Sequence, residues 1–370
     1  YITGLVRDKK GRKMSKSLGN GIDPLDVIDL YGADAMKFTI CYLAAQGQDV
    51  LVDMDSFKLG SRFANKIWNA TRYLLMNLEG RNLVAIDQSK FTEVDKWIYH
   101  SLNENVRKVR NAIEGYKFND AAQAIYDFFW NDFCDWYVEA SKLSLYSGDD
   151  AEKDRIVSIL MDILAESMRL MHPMLSFITE EIYSKLPNTE GKVITASFPE
   201  YRNDRIHADE AHLMQCMQDV VRGIRNSRAE LGIPADKKLR IVIRPDENGC
   251  LASFMAGHVD LLKNFTNAGS VEIDAEKAIS VEGAFPVAGQ GFETYVFVRD
   301  AIDVDKEIAK LEEEISKAKA LLEGSEKKLS NEKFVSFAKP EAIEKERAKK
   351  REFEEKIEKT QKHIEVLRSF

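Results

Sequence analysis

The sequence has no long apolar run and no paired cysteines. No stretch of about 18 consecutive apolar residues occurs, and the first residues show no basic and then apolar targeting segment. The four cysteines lie far apart, without a Cys-x-x-Cys pair that would indicate a zinc ribbon or a dithiol redox site: Cys41, Cys134, Cys216 and Cys250. We therefore expect a cytoplasmic protein with no membrane partner and no protein-bound metal.

An excess of positive charge is also missing. The chain has 53 Lys and Arg against 61 Asp and Glu, a net charge of -8 that would discourage binding to a polyanion if it were spread evenly. The distribution of charge along the 370 residues must therefore decide whether nucleic acid is a partner. The chain opens on Tyr1 in a strand-like pattern, and we expect it to be part of a larger protein.

Helical patterns dominate the first half of the chain. Asp23 and Pro24 are typical of a helix N-cap followed by proline at the first helical position. Further on, apolar residues such as Phe63 and Ile67 recur on one helical face. Residues 118–146 hold too many aromatic side chains for a single face, which favours a helix buried on several sides within a bundle.

Residues 208–300 predict a small α/β domain. One helix is expected over residues 208–231 and another over residues 251–265. Short β-type runs accompany them, at residues 239–244, 270–274, 279–285 and 294–298.

From residue 303 the apolar period changes to seven. Val304, Ile308, Leu311, Ile315, Ala318, Leu322 and Leu329 follow a 4-3 spacing that only Ser325 interrupts, and residues 353–367 repeat it. With a turn over residues 330–340, this spacing predicts an antiparallel coiled-coil hairpin. The same heptads could instead join two copies of the chain, but the short turn and the polar Glu346 and Lys350 at core-type positions favour a monomer.

Charge in this arm is concentrated near its predicted turn. Residues 303–368 hold 17 basic and 17 acidic residues, whereas residues 327–351 hold nine basic against four acidic, an excess of five. A solvated surface and a contact with a phosphate backbone both explain such a cluster. The candidate contacts are Lys345, Arg347, Lys349, Lys350 and Arg351.

A short basic loop, Lys13-Met14-Ser15-Lys16-Ser17, lies between two glycines near the start. Flexible loops of this kind suit a phosphate site that closes and reopens, although a solvated surface turn would look similar.

This loop and its neighbours resemble the end of the catalytic domain of class I aminoacyl-tRNA synthetases. The resemblance extends over residues 4–8, 11–20, 23–24 and 31–35. Further stretches resemble the helical anticodon-binding domain of the valyl family and its extension: residues 65–70, 132–137, 172–173 with 177–181, and 224–230. The arm, with Leu-Ser-Asn-Glu-Lys-Phe-Val at residues 329–335, is similar to the C-terminal arm of that family.

The resemblance implies a mainly α fold. A remnant of the class I nucleotide-binding (Rossmann-like) domain with the loop and junction would occupy residues 1–35, and a helical anticodon-binding bundle residues 36–207. The small α/β domain over residues 208–300 and the coiled-coil arm over residues 301–370 would follow. The arm would lean against the outer corner of the tRNA.

The resemblance also implies a role for single residues. Lys16 and Lys13 would be the catalytic lysines that contact ATP, supplied as its Mg²⁺ complex, with Ser15 and Ser17 as supporting donors. Lys66, Asn69 and Tyr73 share one helical face, where they offer a charge, a base-edge partner and a stacking ring to valine tRNA. Arg62 and Arg72 are weaker candidates for nearby phosphates, and an ordinary polar helix face remains the alternative interpretation.

One departure limits what the chain can do alone. The His-Ile-Gly-His-like signature, the editing domain and most of the nucleotide-binding sheet do not occur in this sequence. We therefore expect that valine binds through a missing N-terminal part and that this chain by itself is inactive. An isoleucyl-type enzyme is disfavoured because the chain lacks clustered cysteines, and a non-catalytic RNA-binding or coiled-coil protein remains an alternative.

Overall fold

A computed structural model describes residues 4–245, 249–289, 291–299, 303–331 and 340–368. Helices make up most of the described chain, as the sequence predicts. The chain divides into two compact units, Tyr1–His212 and Leu213–Phe370. No helix in the described ranges combines the length and the apolar character needed to cross a lipid bilayer.

The first unit begins with a two-stranded parallel sheet. Strand β1 (Val6–Arg7) pairs with β2 (Val50–Leu51), and helices α1 (Pro24–Tyr31) and α2 (Ala33–Leu43) lie between them in the chain. The Asp23 carboxylate accepts a hydrogen bond from the backbone N–H of Leu25 at 2.9 Å, which confirms the predicted N-cap. Of the strand-like pattern at the start, the structure shows only Val6 and Arg7 as a strand, and residues 1–3 lie outside the described chain.

A helical bundle fills the rest of this unit. Phe63 and Ile67, from the predicted stripe, are fully buried, which confirms it. Short 3₁₀ turns precede α3 and α4 and follow α8. The helices are α3 (Lys58–Leu78), α4 (Glu93–Glu114), α5 (Phe118–Tyr126), a π-helical segment (Asp127–Val138), α6 (Glu139–Ser147), α7 (Asp150–Met171) and α8 (Ser176–Tyr183).

The aromatic-rich stretch is buried on several sides, as predicted, but part of it is not α-helical. Over Asp127–Val138 the backbone is a π-helix, whose wider turn changes the direction of successive side chains. Phe129 and Phe133 point into the core, with ring centroids 5.3 Å apart, while Trp130 stacks on Tyr126 at 5.2 Å. The π-helical turns therefore allow side chains of one segment to pack against more than one side of the bundle.

A buried polar network ties the bundle helices together. The Asp95 carboxylate on α4 accepts hydrogen bonds from the Tyr137 hydroxyl at 2.6 Å and from Arg155 on α7 at 2.7 Å. Arg205 forms an ion pair with Glu166 at 2.7 Å, and both side chains are buried. These contacts satisfy charges that would be costly to leave unpaired away from water.

The second unit contains a four-stranded sheet in the order β4-β3-β6-β5. Strands β3 and β4 are parallel, and the other neighbours are antiparallel. Long helix α9 (Ala208–Glu230) leads into it and agrees with the prediction for residues 208–231. The strands are β3 (Leu239–Pro245), β4 (Ala268–Ile273), β5 (Phe285–Gly289) and β6 (Phe292–Phe297).

The expected strand over residues 279–285 was wrong, because β5 begins only at Phe285. The Asp274 carboxylate accepts hydrogen bonds from the backbone N–H groups of Ala278 and Ile279 at 2.8 and 3.2 Å. Arg244 donates to Asp274 at 2.9 Å and to the carbonyl of Ile279. These side-chain bonds hold the stretch as a turn and replace a strand ladder.

The helical pattern predicted over residues 251–265 is confirmed, but it is divided at one residue. Two helices occur, α10 (Gly249–Gly257) and α11 (Val259–Thr266). His258 between them has φ -119° and ψ 27°, outside the helical region, and its Nδ1 lies 2.8 Å from the carbonyl oxygen of Phe254. A glycine of low helix propensity immediately before it favours the break.

Helices α12 (Val304–Leu329) and α13 (Pro340–Arg368) pack against each other. They are antiparallel, because Glu312 near the start of α12 pairs with Arg368 at the end of α13 at 2.7 Å. Ser325, which interrupts the heptads, donates to the buried Glu346 at 2.9 Å. The predicted turn falls mostly on residues outside the described chain. Buried apolar positions between the helices include Leu311, Ile315, Ala318, Ile364 and Leu367.

Candidate functional site

Asp8 organises the turn that leads into the basic loop. Its carboxylate accepts hydrogen bonds from the backbone N–H groups of Lys10 and Arg12, and from Arg12 Nε at 2.8 Å. Asn20, beyond the loop, also donates to Asp8 at 3.0 Å. The Asn20 hydrogen bond first, and then those from Arg12 and Lys10, hold the pKa of the Asp8 carboxyl well below its usual range. Asp8 therefore stays ionised as the fixed centre of the turn.

Asn20 holds the first half of the loop. Its side-chain oxygen accepts from the backbone N–H of Ser15 at 3.0 Å, and its amide nitrogen lies 3.4 Å from the Lys13 carbonyl oxygen. The sequence indicated the loop but did not single out Asp8 or Asn20 as its supports. The sequence does contain a signal for these supports, because Asp8 and Asn20 lie just outside Gly11 and Gly19, the two glycines that bracket the loop.

The loop itself is a 3₁₀ turn over Lys16–Leu18. The Ser15 hydroxyl accepts from the backbone N–H of Leu18 at 3.3 Å and lies 3.1 Å from the Ser17 hydroxyl. Lys13 and Lys16 are exposed, and neither ammonium pairs with a carboxylate anywhere in the described ranges. The loop thus offers two uncompensated cations for an anionic ligand.

A cavity of about 730 Å³ lies beside the loop. Lys16 and Lys37 are part of its wall, which is otherwise mostly apolar. It can hold an apolar or aromatic group next to the cationic loop. The apolar lining includes Met14, Ile22, Val27, Ile40 and Phe57.

Lys66 on α3 is already paired. Its ammonium lies 2.5 Å from an Asp135 carboxylate oxygen and 5.2 Å from the centre of the Trp130 ring, both on the π-helical segment. Sequence spacing could not reveal this contact, because Lys66 and Asp135 are 69 residues apart.

Asn69 and Tyr73 occupy the same edge of α3 as Lys66. Asn69 is exposed and makes no side-chain hydrogen bond within the described chain, whereas Tyr73 is half-buried with its hydroxyl 3.2 Å from that of Tyr146. Burial, and then the Tyr146 hydrogen bond, raise the pKa of Tyr73. Lys142 lies 5.5 Å from the centre of the Tyr73 ring. Neither Lys142 nor Tyr146 was among the residues singled out from the sequence.

The two arginine candidates on the same helix are both exposed. Arg62 and Arg72 form no ion pair with a carboxylate of the described residues.

The arm candidates are exposed or half-buried, and most are paired. Lys350 contacts Glu326 at 2.9 Å, Arg351 contacts Glu344 at 3.0 Å, and Lys349 contacts Glu346 at 3.6 Å. Arg347 lies 3.9 Å from Glu344, and Lys345 has no ion-pair partner in the part of α13 that the structure describes. The pairs with Glu326 and Glu344 join exposed or partly exposed side chains, so they contribute little to stability and a phosphate can replace these glutamates. Glu346, the partner of Lys349, is buried.

Three family profiles match successive parts of the chain. Residues 1–53 match the class I tRNA synthetases (I, L, M and V), and residues 95–243 match the anticodon-binding domain of tRNA ligases. Residues 303–368 match the valyl tRNA synthetase tRNA binding arm. The basic loop and the helical bundle therefore define a chain of the class I aminoacyl-tRNA synthetases.

Similar curated proteins narrow this class. The chain is 45% identical to a valine–tRNA ligase of Treponema denticola and 39% identical to one of Enterococcus faecalis, each over 100% of this chain and 42% of the relative. A valine–tRNA ligase of Thermotoga maritima is 43% identical over 93% of this chain and 38% of its own length. The chain belongs to the valine–tRNA ligase family, and it spans about two fifths of the length of these relatives.

A solved ternary complex, LeuRS–tRNA–LeuAMS of Agrobacterium radiobacter, contains a chain with a TM-score of 0.44 and 19% identity. The match covers 69% of this chain and 29% of that one.

Proposed function

We propose that this chain is the tRNA-binding part of a valine–tRNA ligase, which activates valine with ATP and transfers it to the 3′ end of valine tRNA. The order of the three matched families along one chain carries this proposal, since the third is described as the tRNA binding arm of valyl tRNA synthetases. Valine would bind through a part of the enzyme outside this sequence. The proposed cellular site is the cytoplasm, and the proposed oligomeric state is a monomer.

The basic loop would contact ATP, bound as its Mg²⁺ complex. Lys16 is the first candidate and Lys13 the second, with Ser15 and Ser17 as supporting donors. As the bond between the α-phosphate and pyrophosphate breaks, negative charge develops on the leaving group. Two ammonium groups that approach at that stage stabilise the transition state more than the ground state, and neither Lys13 nor Lys16 has a competing carboxylate among the described residues.

The bundle and the arm would bind the tRNA at two places. Lys66, Asn69 and Tyr73, with Arg62 and Arg72 nearby, are proposed to contact the anticodon. Helices α12 and α13 are proposed to form a coiled-coil hairpin whose basic residues contact the outer corner of the tRNA. The proposed boundaries of the four parts are 1–35, 36–207, 208–300 and 301–370.

Binding measurements test this function. We expect the 370-residue chain to bind valine tRNA more tightly than a version with a mutated anticodon, and more weakly at high than at low salt. Equal affinity for the two tRNAs would contradict anticodon recognition. A dissociation constant that is insensitive to salt would contradict the contact by the basic arm.

Pyrophosphate exchange tests the expected inactivity of the chain alone. Without the His-Ile-Gly-His-like signature, we expect no valine-dependent exchange above background. A rate near that of a complete synthetase would show that the loop and its surroundings suffice for activation.

A further inference from the structure

The α3 surface that carries Lys66, Asn69 and Tyr73 is one side of a seam between two helices. Lys66 contacts Asp135 and Trp130 on the π-helical segment, and the next pair of contacts lies further along both helices. There Tyr73 meets residues of α6, the helix that continues the π-helical segment. Any ligand of this α3 edge would therefore also reach side chains of α6.

Tyr146 is the most exposed aromatic residue of this seam. It keeps 67% of its surface accessible, so burial in the core does not account for its position. Its hydroxyl lies 3.2 Å from the Tyr73 hydroxyl, and Tyr73 is itself half-buried against the bundle. The contact anchors one end of the Tyr146 side chain while most of that residue stays accessible to solvent.

Lys142 adds a cation on the same side, one helical turn before Tyr146. Its ammonium lies 5.5 Å from the centre of the Tyr73 ring and 2.7 Å from a Glu139 carboxylate oxygen. Both side chains of this ion pair are partly exposed, so the pair contributes little to stability and a phosphate can replace the glutamate.

We propose that Tyr146 is a base-stacking residue for an unpaired nucleotide of an RNA loop, with Lys142 contacting an adjacent phosphate. Single-stranded loops are bound by stacking unpaired bases on aromatic rings and by placing cations along the backbone. The anchored, exposed ring beside a weakly paired lysine meets both requirements. This inference rests on the proposed function, because it takes the bound loop to be the anticodon loop of valine tRNA.

Three variants of the 370-residue chain test the stacking role. Tyr146→Ala removes the ring and should weaken binding to valine tRNA by about tenfold, the effect of removing one base–aromatic stack. Tyr146→Phe keeps the ring and should bind within about twofold of the unchanged protein. Tyr116→Ala removes another exposed tyrosine, in the turn after α4, and should leave affinity unchanged. Circular dichroism of each variant shows whether the helices are intact.

Abasic tRNAs identify the nucleotide. Valine tRNAs that lack one base at each anticodon-loop position in turn are titrated with the unchanged protein and with Tyr146→Ala. At the stacked position the two changes should be strongly non-additive, because the base and the ring form one contact. At all other positions the two reductions in affinity should add. Lys142→Gln should lower the salt dependence of binding without creating such a position.

The outcomes separate this inference from the proposed function. If the unchanged chain does not distinguish valine tRNA from the anticodon mutant, the proposed function and the inference both fail. If it does, and Tyr146→Ala binds like the unchanged protein or couples to no single nucleotide, the inference alone is overturned. Equal weakening by Tyr146→Ala and Tyr146→Phe would also overturn it, since the hydroxyl and not the ring would then matter.

Discussion

At the scale of single residues, Asp135 determines how much positive charge the α3 surface can present. Its carboxylate lies against the Lys66 ammonium, and both side chains are partly exposed. Asp135→Asn should change stability by less than about 1 kcal/mol. It should increase affinity for tRNA by about threefold at low salt, because a negative charge is removed beside a proposed RNA contact.

Discrimination between valine tRNA and its anticodon mutant should fall in the same variant, since a freed lysine attracts any phosphate. Titrations of Asp135→Asn and the charge-conserving Asp135→Glu with both tRNAs measure this effect. Weaker binding of Asp135→Asn would show that the carboxylate holds Lys66 in the position that binding requires.

Asn20 should control the mobility of the basic loop. Asn20→Ala removes the hydrogen bonds to Ser15, Lys13 and Asp8, so trypsin should cut after Lys13 or Lys16 several-fold faster. Asn119→Ala, a partly exposed asparagine of α5, serves as the control and should not alter cleavage. Unchanged cleavage in Asn20→Ala would mean that other contacts fix the loop.

The hydrogen bonds to Asp8 also make the stability of the turn depend on pH. Because the pKa of Asp8 is lowered in the folded protein, its contribution to stability is complete above the ordinary pKa of an aspartate. It declines as the pH falls below that ordinary value and is lost once the pH has fallen through the lowered one.

Tyr137 should contribute measurably to the stability of the bundle. Its fully buried hydroxyl donates to Asp95 at 2.6 Å, and Tyr137→Phe leaves that carboxylate short of one partner. We expect a decrease of about 1–3 kcal/mol in the free energy of unfolding of the first unit. Urea denaturation followed by circular dichroism measures the decrease, with Tyr116→Phe as the control, and equal midpoints would count against the network.

At the scale of whole elements, the sequence predicted those features that follow from a regular period. The stripe through Phe63 and Ile67 and the heptads of α12 follow from such a period. The π-helical segment could not be predicted, because its hydrogen-bond pattern depends on packing against several neighbours at once and leaves no period of its own. Spacing along one helix was enough to group Lys66, Asn69 and Tyr73. The structure was needed to show which side chains of the π-helical segment and α6 lie beside them, namely Asp135, Lys142 and Tyr146.

The polar residues that interrupt the apolar patterns of α12 and α13 contact each other. Ser325 and Glu346 each break an apolar pattern in the sequence, and in the structure they bond to each other within the helix pair. Ser325→Ala removes the donor and should lower the thermal midpoint of this unit by about 2–4 °C. Replacing both Ser325 and Glu346 by leucine should raise it, because two apolar residues then face each other.

Calorimetry of the single and double variants measures both shifts. A single variant as stable as the unchanged chain would mean that solvent already satisfies Glu346. Sedimentation of the double variant shows whether the more apolar pair also begins to self-associate, a change that the polar contact is expected to suppress.

At the scale of the whole molecule, a net charge of -8 opposes the binding of RNA. Affinity for tRNA must therefore come from the positions of the basic residues. Replacing the five arm candidates by glutamine should make the slope of log affinity against log salt shallower, by about 0.7–0.9 for each phosphate that is no longer neutralised. It should weaken binding equally for valine tRNA and its anticodon mutant. The five residues are Lys345, Arg347, Lys349, Lys350 and Arg351.

A matched variant separates position from total charge. Five other lysines of α12 and α13 are replaced by glutamine, which changes the net charge by the same amount: Lys306, Lys310, Lys317, Lys356 and Lys362. If only overall charge mattered, the two variants would bind tRNA alike, and the arm would not be a distinct contact.

Asn69→Ala should have the opposite effect to the arm variant. Removing a base-edge partner should reduce discrimination between the two tRNAs while the salt dependence of binding stays nearly constant. Opposite effects of this kind would assign specificity to the bundle and salt-dependent affinity to the arm within one acidic chain.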